Sequence, residues 1–211
     1  GVPALCLSMK PKTLFPDQRD TAVVPTDQDQ WTNVVRQMVR RYGCGDEPVR
    51  FWEVLNEPDI GERGGTPWKP TPEQYVDIYR RLAHAIRAED PEALVGGPAV
   101  ATGRVDESGN LSEYVTALVE AVAREGLPFD YVSAHLYGQS LNAIRRSHQA
   151  YRDLLNHNGL SGCAYALSEW NQSHRPYANE PQAGMYWTTR AAFTVAALLN
   201  FIDCGMEYSW L

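Results

Sequence analysis

The chain has 211 residues, 44% of them hydrophobic and 21% charged, with a formal net charge of -7. That is enough chain for one domain with a substantial core, and the balance of apolar to charged residues argues against disorder. A mildly acidic chain is a poor nucleic-acid binder, since phosphate contacts need clustered Lys and Arg, and no run of 18 apolar residues offers a membrane span.

No signal-peptide pattern is expected at Gly1. The four cysteines, Cys6, Cys44, Cys163 and Cys204, are widely spaced and form no CxxC, so they read as free, buried thiols rather than a metal site. The pairs Arg40-Arg41, Arg80-Arg81 and Arg145-Arg146 lie in helix-like stretches and read as solvated faces.

In chain order, "ALCLS" (4–8) is a strand candidate, and the Pro- and Asp-rich stretch 9–30 reads as a long loop. Trp31, Val34, Val35, Met38, Val39 and Tyr42 recur at helical spacing, with Gly43 and Gly45 suited to the helix end. "VRFWEVL" (49–55) is a second strand. Thr71, Pro72 and Gln74 form a capping box for a helix whose buried stripe is Tyr75, Ile78, Tyr79, Leu82, Ala83 and Ile86, closed by Pro91. "ALVGGPA" (93–99), "FDYVSAHLY" (129–137), "AYALSEW" (164–170) and "MEYSW" (206–210) are further strands. Between them lie a helix carrying Leu111 to Val122, one from about 142 to 159, and a long apolar one over 182–203. Short apolar strands alternating with helices predict an α/β fold with parallel strands, as a single domain over 1–211.

Polar residues collect at the carboxyl ends of these strands: Asn56-Glu57, His135-Leu136-Tyr137, Ser168-Glu169-Trp170-Asn171 and Ser209-Trp210. Ligands bind at that end of parallel β/α folds. Two carboxylates, a His and several aromatics suit a sugar site, where aromatic faces stack on sugar rings and carboxylates handle protons and the anomeric carbon.

Asn56-Glu57-Pro58 at a strand end, with Glu169 three strands later, resembles the clan of retaining β-glycosidases on (β/α)8 barrels. "FWEVLNEPDI", "ALVGGPA", "VSAHLYG" and "LSEWN" together look most like glycoside hydrolase family thirty-nine, the β-xylosidase and α-iduronidase family. The resemblance implies a retaining enzyme cleaving β-linked sugars by double displacement, with a glycoside or oligosaccharide as partner and no cofactor. Glu57 would be the general acid/base and Glu169 the nucleophile. Asn56 would contact the sugar 2-hydroxyl, and Tyr137 would orient Glu169. His135 would tune Glu57 or touch substrate, and Trp210 would floor the glycone subsite. Each has a plainer alternative: surface carboxylates for the two Glu, and core packing for His135, Tyr137 and Trp210. Trp68 reads either as a substrate platform or as a loop anchor. Glu53, mid-strand, reads as half of a structural ion pair. A sugar carboxylate would need a basic residue, and Lys10, Arg63, Lys69 and Arg175 are only loop candidates.

Counting 49–55 as the fourth strand of such a barrel makes the six candidates strands three to eight. Strands one and two and the last helix would then be missing. The full fold takes about 250 residues, so the expectation is an incomplete barrel. Six strands do not close it, and the open edges would suit pairing with a second copy. If the incomplete site cannot turn over, the chain is a non-catalytic carbohydrate-binding remnant or inactive fragment.

Overall fold

A computed structural model describes residues 3–8, 27–61, 69–172 and 183–210, with the side chains of 183–187 excepted. Its strands are β1 (Ala4–Cys6), β2 (Phe51–Glu53), β3 (Leu94–Val100), β4 (Tyr131–Tyr137), β5 (Ala164–Asn171) and β6 (Tyr208–Ser209). The helices between them are α1 (Gln28–Tyr42), α2 (Pro72–Glu89), α3 (Glu113–Glu125), α4 (Leu141–His157) and α5 (Ala183–Cys204). Every strand pair is parallel, and the spatial order follows the chain, β1 to β6. This is the winding of a β/α barrel, and among the described residues it is open.

The helices start where their side chains satisfy orphan N–H groups. Asp27 accepts from the Gln30 amide at 2.8 Å, and Ser140 accepts from Ala143 at 3.2 Å. At α2 the predicted capping box is present in both directions, Gln74 N to Thr71 Oγ1 and Thr71 N to Gln74 Oε1. The α1–α2 contact also carries Arg36 and Arg40, which both reach Glu89. Such part-exposed pairs contribute at most about 1 kcal/mol.

Strand alternation sends side chains to two different places. Trp52, Val54, Val95, Val132, Tyr165 and Leu167 face the helices and join Tyr75, Tyr79, Leu82, Leu118 and Leu155 in the main core. Each large side chain fully buried there is worth about 1.5–3 kcal/mol over an exposed one. Phe51, Tyr131 and Ala166 point the other way, into a second cluster with Leu94, Ala164, Tyr208 and Trp210. Phe51 on β2 meets Trp210, just past β6, at 5.4 Å between ring centroids, although three strands separate them. The sheet is therefore strongly curled, and its concave face is the interior of the barrel arc. Gly96 makes room for that packing: a Cβ there would lie 2.4 Å from the Tyr131 ring.

Two sequence expectations shift. Cys44 is exposed rather than buried, while the other three thiols are half-buried, and all four are free. The strand expected over 49–55 stops at Glu53 because the backbone turns left-handed soon after, at Leu55. The long α5 is apolar as expected, yet Val195, Leu199 and Ile202 on its outer face are 59%, 62% and 78% exposed. No described helix is long and apolar enough to cross a membrane.

Candidate active site

The site begins at the end of β2. Leu55 and Glu57 have φ of 66° and 47°, and Ala99 across from them has 52°. Left-handed backbone at non-glycine residues costs on the order of 1–3 kcal/mol each and persists only where the surroundings impose it. Here they do. Val54 donates to Gly96 O and Glu57 donates to Ala99 O, both at 2.9 Å. The buried Tyr75 hydroxyl donates to Val54 O at 3.0 Å, and Ala99 N donates to Ser133 Oγ at 3.0 Å. The turn thus aims Glu57 back over the concave face instead of out along the strand.

β4 supplies the middle of the site by simple alternation. Tyr131, Ser133, His135 and Tyr137 share one parity, and Tyr131 is on the concave side. β5 does not follow simple alternation. Ala166 faces inward and Leu167 outward, so an unbroken strand would point Ser168 in and Glu169 out. The register shifts instead: Ala134 pairs with Leu167, and His135 pairs with Glu169. Ser168 is the extra residue of a β-bulge, which restores Glu169 to the inner face.

The three strand ends meet there. His135 Nδ1 lies 2.8 Å from Glu57 Oε1 and 3.6 Å from Glu169 Oε2. The Tyr137 hydroxyl donates to the same Glu169 Oε2 at 2.9 Å. His135 is fully buried, while the Glu57 and Glu169 side chains are 12% and 42% exposed. One carboxylate oxygen of Glu57, one of Glu169 and His135 Nδ1 all lie within 4.8 Å of one another, close enough to ligate a single small cation. Burial, then the hydrogen bond to Glu169 and its charge, push the Tyr137 phenol well above its ordinary range, so it stays a donor.

Beside this trio opens a cleft of about 310 Å³ lined by Leu5, Cys6, Glu53, Asn56, Tyr131, Ser168, Glu169 and Trp210. Trp210 is half-buried, parallel to Tyr208 and edge-on to Phe51 and Tyr131, so it is both packed and presented to the cleft. Asn56 also lines the cleft. Of the predicted residues, Glu57, His135, Tyr137 and Glu169 come into direct contact, and Asn56 and Trp210 sit on the adjoining wall. Trp68 lies outside the described residues, as do Lys10, Arg63 and Arg175, and Lys69 is exposed.

Glu53 corrects one expectation. Expected as half of an ion pair, it makes no salt bridge among the described residues, and its buried Oε1 has no hydrogen-bond partner. Burial raises its pKa, opposed by the hydroxyls of Ser133 and Ser168 and by His135. The sequence reading also passed over Tyr131 and Ser133, which the parity of His135 and Tyr137 could have revealed. Ser168 and Asp59 carry no such local signal. The Asp59 carboxylate accepts from the amides of Ala101 (2.9 Å) and Thr102 (3.1 Å), beyond the end of β3.

Comparison with known proteins bears on the family and the fold. A beta-xylosidase of Caldicellulosiruptor saccharolyticus is 28% identical over 208 residues, covering 91% of this chain and 39% of that enzyme. A beta-xylosidase of Geobacillus stearothermophilus is 34% identical over 120 residues, covering 54% of this chain and 21% of that enzyme. The chain therefore spans well under half the length of these relatives. Among solved structures, a monomeric beta-xylosidase from Caulobacter crescentus CB15 superposes with a TM-score of 0.74 at 21% identity, over 99% of this chain and 44% of that one. A glucosidase from Croceicoccus marinus gives 0.72 at 25% identity, over 90% and 39%. The fold is thus an incomplete (β/α)8 barrel. The model of glycosyl hydrolases family 39 matches residues 7–181, most of the chain, and the chain belongs to that family of glycosidases.

Proposed function

We propose that this chain carries the catalytic pair of a retaining glycoside hydrolase acting on β-linked sugars, with a β-xyloside as substrate, in line with the two beta-xylosidases whose sequences it resembles. The observation that carries the reading is the separation of the two carboxylates. The nearest carboxylate oxygens of Glu57 and Glu169 lie within 4.8 Å. Retaining enzymes hold their carboxyl groups about 5–5.5 Å apart, whereas inverting ones leave about 6.5–9.5 Å for a water. The nearest-atom distance here favours the closer of the two spacings.

In this mechanism Glu169, oriented by the Tyr137 hydroxyl, attacks the anomeric carbon. The bond to the leaving oxygen breaks as Glu57 gives that oxygen its proton. A glycosyl ester on Glu169 results. Glu57, now a carboxylate, takes a proton from water as the water oxygen attacks the same carbon, which frees Glu169 and returns the proton to Glu57. His135 Nδ1 sits against Glu57 Oε1 and keeps that carboxyl in place through both steps. Asn56 and Trp210 on the cleft wall suit a sugar hydroxyl and a sugar face.

The test is turnover of an aryl β-xyloside by the wild-type chain and by Glu169→Ala. Loss of turnover in the variant, with azide restoring it as the inverted glycosyl azide, is expected. Unchanged turnover would refute the assignment. A second reading, a carbohydrate-binding remnant without turnover, draws on the openness of the sheet among the described residues, where Ala4, Leu5 and Cys6 line the cleft on its β1 side. Calorimetric binding without hydrolysis, across a panel of aryl glycosides, separates it from the first.

A further inference from the structure

Three consecutive backbone amides just past β3 point at the turn that carries Glu57 and at the strand that carries His135. Ala101 N and Thr102 N donate to the two carboxylate oxygens of Asp59, two residues beyond Glu57. Gly103 N donates to the backbone carbonyl of His135 itself, at 3.1 Å. Gly103 is buried, and a Cβ there would lie 2.6 Å from His135 O and 2.7 Å from Ala134 Cβ, so only glycine lets the segment lie flat on β4. The turn it holds is the left-handed one at Leu55 and Glu57, which does not persist without external support.

We propose that Asp59 and residues 101–103 form a bracket whose task is to position Glu57 against His135. Asp59 fixes the segment to the Glu57 turn, and Gly103 fixes it to the strand of His135. An ionised carboxylate holding two amides is the stronger kind of hydrogen bond, so one side chain can clamp a strained turn. Asp59 is then a positioning residue that touches neither substrate nor the reacting atoms. Its catalytic consequence rests on the double-displacement reading, while its structural one does not.

Two measurements test the bracket in Asp59→Asn and Gly103→Ala. The first needs no turnover: the imidazole nitrogen and ring-proton signals of His135, and hydrogen exchange at the Ala101 and Thr102 amides. Both variants should shift the His135 ring signals, and Asp59→Asn should speed exchange at both amides. The second is kcat/KM for two β-xylosides, one with a dinitrophenyl leaving group and one with an alkyl leaving group. A good leaving group needs no proton, so a displaced general acid shows only with the poor one. General-acid assistance is worth about 100- to 10,000-fold. Its partial loss should lower kcat/KM for the alkyl glycoside about 10-fold or more and leave the dinitrophenyl glycoside near wild type. Unchanged ring signals and exchange, or an equal fall for both substrates, overturns the proposal. If Gly103→Ala fails to fold, Asp59→Asn still decides it, since Asn keeps the size and one acceptor. A wild-type chain that turns over no glycoside counts against the proposed function, and the ring signals then judge the bracket alone.

Discussion

Substituting Gly96 by alanine should destabilise the protein through one ring. The added Cβ would stand 2.4 Å from Cδ2 and Cε2 and 2.5 Å from Cζ of Tyr131. Ordinary contact begins about 1 Å farther out, so either the ring or the strand must move. The ring has little freedom: Tyr131 is fully buried, with Phe51 at 5.9 Å and Trp210 at 6.0 Å edge-on to it. Gly96 is itself paired in register with Glu53 and Tyr131, so separating the strands breaks the ladder on both sides. Overpacking by one methyl in a tight core costs about 1–3 kcal/mol, and this contact belongs at the upper end. Alanine regains about 0.4–1 kcal/mol through the less flexible unfolded chain. The net is a loss of about 2 kcal/mol. For a chain of this size each kcal/mol moves Tm by roughly 2–4 °C, so the variant should melt about 4–8 °C low. Calorimetry or circular dichroism reads this directly. Gly162→Ala is the control, since a Cβ there meets nothing within 4 Å. It should match or slightly exceed wild type. A Gly96→Ala variant melting with the Gly162→Ala control would show that Tyr131 does not rest against Gly96, and the described concave face would be wrong.

Glu53→Gln should change how stability varies with pH. Burial raises the folded-state pKa of Glu53 above its unfolded value. The folded protein therefore holds a proton that the unfolded chain has lost, and the stability this lends is full below the usual carboxylate pKa of about 4.3 and disappears as pH rises through the folded value. Gln has no proton to lose, so the variant should gain on wild type as pH rises above the usual carboxylate pKa of about 4.3 and through the raised folded value. A difference in Tm that stays constant with pH would remove Glu53 from that account. Tyr137→Phe deletes the donor to Glu169 Oε2 and leaves the ring. A hydrogen bond to a charged group is worth about 1.5–3 kcal/mol, and the part-exposure of Glu169 favours the low end, so kcat/KM on an aryl β-xyloside should fall about 10-fold with little change in Tm. Turnover equal to wild type would place Tyr137 outside the reaction.

Local rules on the page of the sequence were enough for the scaffold. The capping residues Thr71 and Gln74, the helical stripes of α1 to α3 and the apolar runs of the strands each act within a few residues, so their outcome could be read without the fold. The same holds for Asn56-Glu57 at a strand end and for the shared parity of His135 and Tyr137. Glu169 shows where such reading stops. Alternation along β5 by itself points it at the helices, and only the bulge at Ser168, set by pairing with β4, turns it inward. Glu57 reaches His135 because contacts from distant segments, α2 and β3 among them, hold Leu55 and Glu57 in a backbone conformation their own side chains disfavour. Glu53 could be placed in a strand, but whether a cation met it there depended on every neighbouring strand. Composition, periodicity and capping determined the elements and their order. Register, bulge and left-handed turn were decided by tertiary structure, because each is a compromise between segments far apart in the chain.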